Sequence, residues 1–509
     1  MKRFWLLSCA LILVVGCSGG DETDSQTEAS GGSSRQSNNT DVQPSGDASD
    51  SGGTSVAVSE GNSRDAAGGG GGSSPWGTGN AAGGATTDTS ESAADTAKRE
   101  RDFTLSIAHL STSAQEHVRR GYFDAAIQAR QEIAQKVAAF YGADSWQARN
   151  AKLALDHTTR VIQLSPEQKL TYEAINEHDA TGQSQTRLGR HDDAIGQFRL
   201  ATTLATQLWG AGSHVVGNLV HKEALVHQAK GSYAAAERLF IQAMDVRRRS
   251  LGETHPDYST SINALGVLYH RWGQHEKAEQ ALKDAIENVR QVWGGTHAEY
   301  ATAINNLGML YNSMRRFDDA VTQLQKVVEL RRALTGDGGD TLYGHAMFNL
   351  GSVYYQSQRF DEAVPALEEA LTVLEPAIGR EHDIAVMLLN NLAMSYMAKQ
   401  RYEESEKLLL EVSNVLKKRF GEQTIEFAQA QHNIGVLYIN QERFAEAEPF
   451  VLATVQLKEQ LGGRNSPGLL IPLKDLATIL RNTNRTAEAD QISARVEALA
   501  ARQETTIRR

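Results

Sequence analysis

The second half of the chain alternates between two kinds of amphipathic helical segment. In residues 258–272 the apolar positions recur at helical spacing, and a second stripe of apolar and small residues runs through 276–292. Only Gly273 and Gln274 separate the two segments. This pattern predicts a helical hairpin that buries one face of each helix.

The hairpin pattern repeats along the chain. A small residue in each first helix advances by 42, 43, 42 and 42 residues, and another small residue follows it twelve positions later in the second helix. The pairs are Gly266/Ala278, Gly308/Ala320, Gly351/Ala363, Ala393/Ser405 and Gly435/Ala447, and the same register gives Gly182/Ala194, Ala224/Ala236 and Ala477/Ala489. A single hairpin cannot bury its own faces, so we expect eight units to stack into an all-α solenoid.

Most units end on a large apolar residue followed by glycine. These glycines are Gly252, Gly294, Gly379, Gly421 and Gly462. We expect each to adopt the left-handed conformation that ends the second helix.

These features resemble the tetratricopeptide repeat, in the 42-residue form of kinesin light chain and its bacterial relatives. The segment from Leu251 to Asp257, Leu-Gly-Glu-Thr-His-Pro-Asp, matches the linker of that family, and Phe360–Ala363 matches the start of its second helix. The resemblance covers about residues 170–500. It implies a right-handed superhelix with a concave groove lined by the first helices.

The part before the array departs from the period. Residues 98–165 contain one further helical pair and then an extra helix at 145–164, for which we expect a capping element or a kink. The array of about eight repeats then occupies residues 166–503.

Charge and composition separate the N-terminal region from the array. The net charge of −11 lies mostly in residues 18–97, which contain 12 Asp and Glu, two Arg, 17 Gly and 16 Ser. Such a segment cannot bury enough apolar surface to fold, so residues 17–97 are predicted to be a disordered tether. No segment has the positive excess of a polybasic nucleic-acid binder, so we expect no nucleic-acid partner.

Residues 1–16 have the cations and short apolar stretch of a signal peptide. Val14, Val15 and Gly16 precede Cys17, and this sequence resembles the bacterial lipobox. The resemblance implies that Cys17 carries lipid and anchors the chain to a membrane of the bacterial envelope. By resemblance to lipoprotein sorting in Gram-negative bacteria, Ser18 after the cysteine implies the outer membrane, facing the periplasm or the cell surface. An ordinary signal peptide with an incidental cysteine is the alternative.

Catalytic and metal-binding patterns are absent from the sequence. His255, His297 and His382 recur in the loops between units, where we interpret them as structural. No nucleophile elbow, phosphate-binding loop or zinc-protease motif is present, so we expect no enzyme activity, no metal and no cofactor. Tyrosines at the same period are interpreted as packing residues.

One set of polar residues is not explained by helix propensity. Asparagines lie two or three positions before the small residue of successive first helices: Asn263, Asn305, Asn306, Asn349, Asn390, Asn391 and Asn433. Amide side chains both donate and accept hydrogen bonds, so such a row is able to hold an extended peptide by its backbone. We predict a peptide-binding groove that also includes Tyr355 and Met394. The alternative is that some asparagines bridge helices within the solenoid.

The sequence thus predicts a non-enzymatic, membrane-anchored scaffold for a protein or peptide partner. The alternative function is that of an accessory lipoprotein in envelope assembly, such as outer-membrane protein insertion, pilus biogenesis or recruitment of peptidoglycan enzymes.

Overall fold

The computed structural model describes residues 93–335 and 340–507, so the predicted signal peptide, Cys17 and nearly all of the tether lie outside the described residues. This part of the chain forms nineteen α-helices and one short 3-10 helix, with no strand. The helices are α1 Ala93–Arg119, α2 Phe123–Tyr141, α3 Trp146–Gln163, α4 Pro166–Arg187, α5 His191–Trp209, α6 His214–Ala229, α7 Tyr233–Leu251, α8 Pro256–Arg271, α9 His275–Trp293, α10 Ala298–Ser313, α11 Phe317–Thr335, α12 Thr341–Gln356, α13 Phe360–Ile378, α14 Asp383–Ala398, α15 Tyr402–Phe420, α16 Ile425–Asn440, α17 Phe444–Gly462, α18 Leu470–Asn482 and α19 Thr486–Ile507.

Helices α4 to α19 pair into eight hairpins, here called units 1 to 8. Each second helix also packs against the first helix of the next unit, and first helices of successive units contact each other at α8–α10, α10–α12, α12–α14 and α16–α18. The first helices therefore form one layer of the array and the second helices another. The predicted helical-hairpin solenoid is confirmed.

The small residues of the repeat stand where the two helices of a unit come closest. A methyl group added to Gly266 would lie 2.6 Å from the side chain of Leu282 on the partner helix. Ala278, the second small residue of this unit, is fully buried. Close approach of the helices thus explains the repeat's small positions.

In six of the eight units the described residues include a closing glycine, and its conformation differs in part from the prediction. Gly252 has φ 88° and ψ 162°, and Gly294 has φ 84° and ψ 168°. The positive φ agrees with the prediction, but ψ near 165° belongs to a region open almost only to glycine, not to the left-handed helical region. In unit 7 the prediction of Gly462 was wrong: Gly462 is the last residue of α17, and the positive φ falls on Gly463.

The recurring histidines are the N-cap residues of first helices. The Nδ1 atom of His255 accepts a hydrogen bond from the Asp257 backbone N–H at 3.2 Å, and His297 and His382 cap α10 and α14 in the same way. The exposed N–H groups of a helix start need such acceptors. Ser213 and Thr424 occupy the same position in other units. These contacts agree with the structural interpretation of the loop histidines.

Helices α1 to α3 precede the array and have a small core of their own. Ile107, Ile133, Val137, Ala148 and Ala151 are its buried residues. Helix α3 covers Trp146–Gln163, where the sequence suggested an extra helix. Within the described ranges no helix is long and apolar enough to cross a membrane.

Candidate functional site

The predicted asparagines lie on the layer of first helices, in two adjacent rows. We call the residues three and two positions before each small residue the ladder. Its members from unit 1 to unit 8 include Asp179, His221, Lys222, Asn263, Asn305, Asn306, Phe348, Asn349, Asn390, Asn391, His432, Asn433 and Asp475.

Ladder residues of successive units pair with each other in a fixed sense. The Nδ2 atom of Asn306 donates to Oδ1 of Asn263 at 3.0 Å. Asn349 donates to Asn305 at 2.9 Å, and Asn433 donates to Asn390 at 2.7 Å. In each case the residue two before the small residue reaches back to the residue three before it in the preceding unit. The asparagines therefore bridge neighbouring units, as the structural alternative proposed.

One step of the ladder is interrupted by an aromatic residue. Phe348 occupies the position of the acceptor to which the Asn391 amide would otherwise donate. Asn391 instead donates to the Ser352 hydroxyl at 3.1 Å. A buried or half-buried amide is costly without a hydrogen bond, so the side chain turns to the nearest acceptor.

The two ends of the ladder carry charges that the sequence analysis missed. Lys222 Nζ lies 2.9 Å from a carboxylate oxygen of Asp179, and His432 Nε2 lies 2.8 Å from Asp475. Both pairs obey the same rule of positions as the amide pairs. The sequence contains a signal for these pairs, because the residues have the same phase relative to Gly182, Ala224, Gly435 and Ala477 as the asparagines have in the middle units.

Burial differs along the ladder. Asn306 has no exposed surface and Asn433 is 3% exposed, and Asn305, Asn349 and Asn390 are buried as well. Only Asn263 and Asn391 are half-buried. Most of the row thus has its hydrogen bonds and its surface inside the solenoid, and peptide binding stays a prediction that depends on the two more accessible amides.

The two remaining predicted groove residues lie near the interruption. Met394 is buried on α14, and Tyr355 is half-buried at the end of α12, with its ring centre 6.2 Å from that of Phe360. Six of the chain's eight methionines fall between positions 309 and 397. The first helices in the middle of the array therefore contain amides, thioethers and aromatic rings, and most of the thioethers are buried.

The periodic tyrosines pack as predicted, but each also makes a polar contact. The hydroxyl of Tyr396 donates to Glu368 on the preceding second helix at 2.6 Å, and the Arg401 guanidinium lies 4.0 Å from its ring centre. Burial and the nearby carboxylate raise the pKa of Tyr396 to about 12. Tyr311 and Tyr438 make the same contacts with Glu279 and Glu406. These hydroxyls remain protonated donors and serve as links between units.

No group of three or more His, Cys, Asp or Glu in 93–335 and 340–507 converges to hold a metal ion.

Family models described as tetratricopeptide repeat match residues 217–291, 299–375 and 426–502, with a second model of that description at 386–426. These ranges cover more than half of the chain and fall on units 2 to 8. The chain belongs to the tetratricopeptide repeat family. Tetratricopeptide repeats indicate a protein–protein interaction scaffold.

Solved structures of tetratricopeptide proteins resemble this chain at low identity. BtubC (BKLC) from P. vanneervenii is 20% identical, with a TM-score of 0.39, and the match covers 45% of this chain and 92% of that chain. The putative kinesin light chain repeats of Podospora anserina are also 20% identical, with a TM-score of 0.37 and coverage of 41% and 98%. The apo quorum sensor NprR from B. thuringiensis is 13% identical, with a TM-score of 0.49 and coverage of 76% and 99%. No curated protein sequence matches the chain significantly.

Proposed function

We propose that this tetratricopeptide repeat protein is a lipid-anchored scaffold that binds a peptide or protein segment along its first helices. The observation that carries the proposal is the ladder: in units 3 to 6 it contains six asparagines and one phenylalanine, and no charged residue. Its charges lie near the two ends, where Asp179 pairs with Lys222 and Asp475 pairs with His432 beside the exposed Lys474.

This arrangement favours an extended partner segment of low charge. A ladder amide that makes one inter-unit hydrogen bond retains a second N–H and further acceptor capacity. Asn263 and Asn391 are half-buried, so they are the amides able to offer these groups to a peptide backbone. The half-buried Tyr355 supplies an apolar contact for side chains of the partner.

The most direct test adds negative charge to the ladder while keeping its hydrogen bonds between units. In Asn263→Asp the carboxylate still accepts from Asn306, and in Asn391→Asp the Ser352 hydroxyl donates instead of accepting. A photo-cross-linking amino acid at Gln356, at the end of α12, reports a bound partner in cells. We expect a discrete cross-linked species that the double variant reduces about tenfold or more, because side-chain N–H donors to the partner's backbone are lost and carboxylates are added.

Asn414 provides a matched control. It is exposed on α15, among the second helices, and Asn414→Asp makes the same chemical change there. This variant should leave the cross-link from Gln356 unchanged, and a cross-linker placed at Asn414 should not give the same species. Equal cross-linking from both positions, or a cross-link insensitive to the ladder variants, would reject binding along the first helices.

The membrane anchor is a separate part of the proposal and rests on the lipobox-like sequence before Cys17. A chain with several acyl groups on one residue binds a membrane stably. Cys17→Ser should therefore move the protein from the membrane fraction to the soluble fraction. A variant that remains membrane-bound would remove the anchor but not the scaffold. The accessory role in envelope assembly is a narrower form of the same proposal.

A further inference from the structure

Helix α3 lies across three successive loops of the array. We call these loops the linker row: residues 210–213, 252–255 and 294–297, which join units 1 to 4. The ring centre of His157 lies 5.3 Å from that of Trp209, the last residue before the first loop. At the second loop, Arg149 donates to the Thr254 hydroxyl at 2.6 Å. At the third, the ring centre of Trp146 lies 4.4 Å from that of Trp293, the last residue before the loop. One helix thus contacts all three junctions.

The opposite side of α3 packs against α2. Ala148 and Ala151 are buried there, in the core of the N-terminal helices. Trp146 is itself buried, and its ring is 6.2 Å from that of His255. Helix α3 therefore connects a small separate core to the edge of the array, and its attachment to the linker row depends on a few aromatic and polar contacts.

The contact is rich in imidazoles and arginines. His157 of α3 faces His214, and His255 and His297 belong to the second and third loops. The charged and titratable groups around these four histidines are Arg130 of α2, Arg149 and Arg160 of α3, Tyr172 of α4, Arg247 of α7, Asp257 of α8, Glu299 of α10 and Arg331 of α11. Five arginines thus face two carboxylates.

Protonation of the histidines is unfavourable in this setting. Burial, reinforced by nearby cations, lowers the pKa of His157 and His297 to about 4. Burial also lowers the pKa of His214 and His255. Each added proton would place a charge beside arginines in a partly or fully buried setting.

We propose that α3 is an acid-released strap: it holds units 1 to 4 together while its histidine contacts are neutral, and it leaves the linker row when they are protonated. In the released form the imidazoles are exposed and titrate near 6.5, so the released form binds more protons. Attachment is therefore complete above about pH 6.5 and weakens as the pH falls toward 4. Release frees the first units to change their relative orientation.

His157 separates the strap from the array itself. His255 and His297 also cap α8 and α10 through Nδ1, so their protonation would disturb those helices as well. His157 caps nothing; its Nε2 lies 3.4 Å from the Tyr172 hydroxyl. A change at His157 therefore alters the acid response of the strap without removing a helix cap.

The test is hydrogen exchange of the full chain at pH 7.5 and 5.5, corrected for intrinsic exchange rates. We expect exchange in α3 and the linker row to rise about tenfold or more at the lower pH. Exchange should stay unchanged in α13 and α15, which contain no histidine. His157→Gln should reduce the rise several-fold, and Trp146→Ala should raise exchange in the linker row already at pH 7.5.

Lys152→Ala changes an exposed residue of the same helix and should behave as the unmodified chain. A uniform rise across α3, α13 and α15, or a response that His157→Gln leaves intact, would overturn the strap. If Trp146→Ala loses helical ellipticity, the comparison of the unmodified chain with His157→Gln still decides. None of these outcomes depends on the binding of a partner to the first helices.

Discussion

The early and late hairpins of this chain make the same turn with different residues. Between their two helices, the N-terminal pair and units 1 to 3 place a glycine at positive φ, as in Gly273 at 75°. Units 4 to 8 place a side chain there: Arg315, Gln358, Gln400, Glu442 and Asn484, all at φ between 58° and 62°. A residue with a Cβ costs about 1–2 kcal/mol in this conformation, whereas glycine adopts it readily.

The late units have a compensating contact that most early ones lack. The residue after the turn is arginine in units 4 to 8, and in unit 6 Arg401 lies over the Tyr396 ring and pairs with Glu404 at 3.0 Å and Glu368 at 3.6 Å. In unit 3 the corresponding residue is Gln274. The same backbone turn is therefore formed in two ways. In the early units glycine adopts the positive φ without strain, and in the late units the contacts of an arginine that joins two units offset the strain.

Removing the arginine should have the larger effect. Arg401→Ala loses the contact with the Tyr396 ring and two ion pairs, so we expect about 1 kcal/mol less stability in the α14–α15 hairpin. The free energy of local opening from hydrogen exchange measures this loss. Gln274→Ala is the control in unit 3, and an equal loss there would show that the arginine contacts contribute nothing specific.

Exchanging the turn residues should have the smaller effect, in opposite directions. Gln400→Gly relieves the positive φ but adds freedom to the unfolded chain, so we expect a gain of about 0.5 kcal/mol. Gly273→Gln should cost a similar amount, because nothing near that glycine blocks a side chain and only the conformation opposes it. Thermal or urea unfolding of the two variants gives the signs, and equal signs would contradict this account.

The sequence predicts features that depend on local chemistry. The repeat places apolar and small residues, such as Gly266 and Ala278, at the same positions in each of eight units. This pattern predicts the helices, their close approach and the stacking of the units. The hairpins and their order are therefore accessible without coordinates.

Features that depend on contacts between distant residues are less accessible. The sequence leaves two roles open for Asn306, because the spacing to Asn263 does not tell whether an amide faces a neighbouring unit or a ligand. The attachment of α3 could not be predicted at all. Trp146 and Trp293 are far apart in the chain, and no period relates them. The φ and ψ of Gly252 show a third case, in which residue type fixed the sign of φ but not ψ.

The pairing rule of the ladder also bears on how such an array could change its length. Asn–Asn steps are interchangeable: if unit 4 were lost, Asn349 of unit 5 would meet Asn263 of unit 3, and an amide would again face an amide. Loss of unit 2 would instead bring Asp179 against Ala264 and leave a carboxylate without its lysine. The units in the middle of the array are thus interchangeable in their ladder contacts. Near the ends, a charged ladder residue keeps its ion pair only beside its present neighbouring unit.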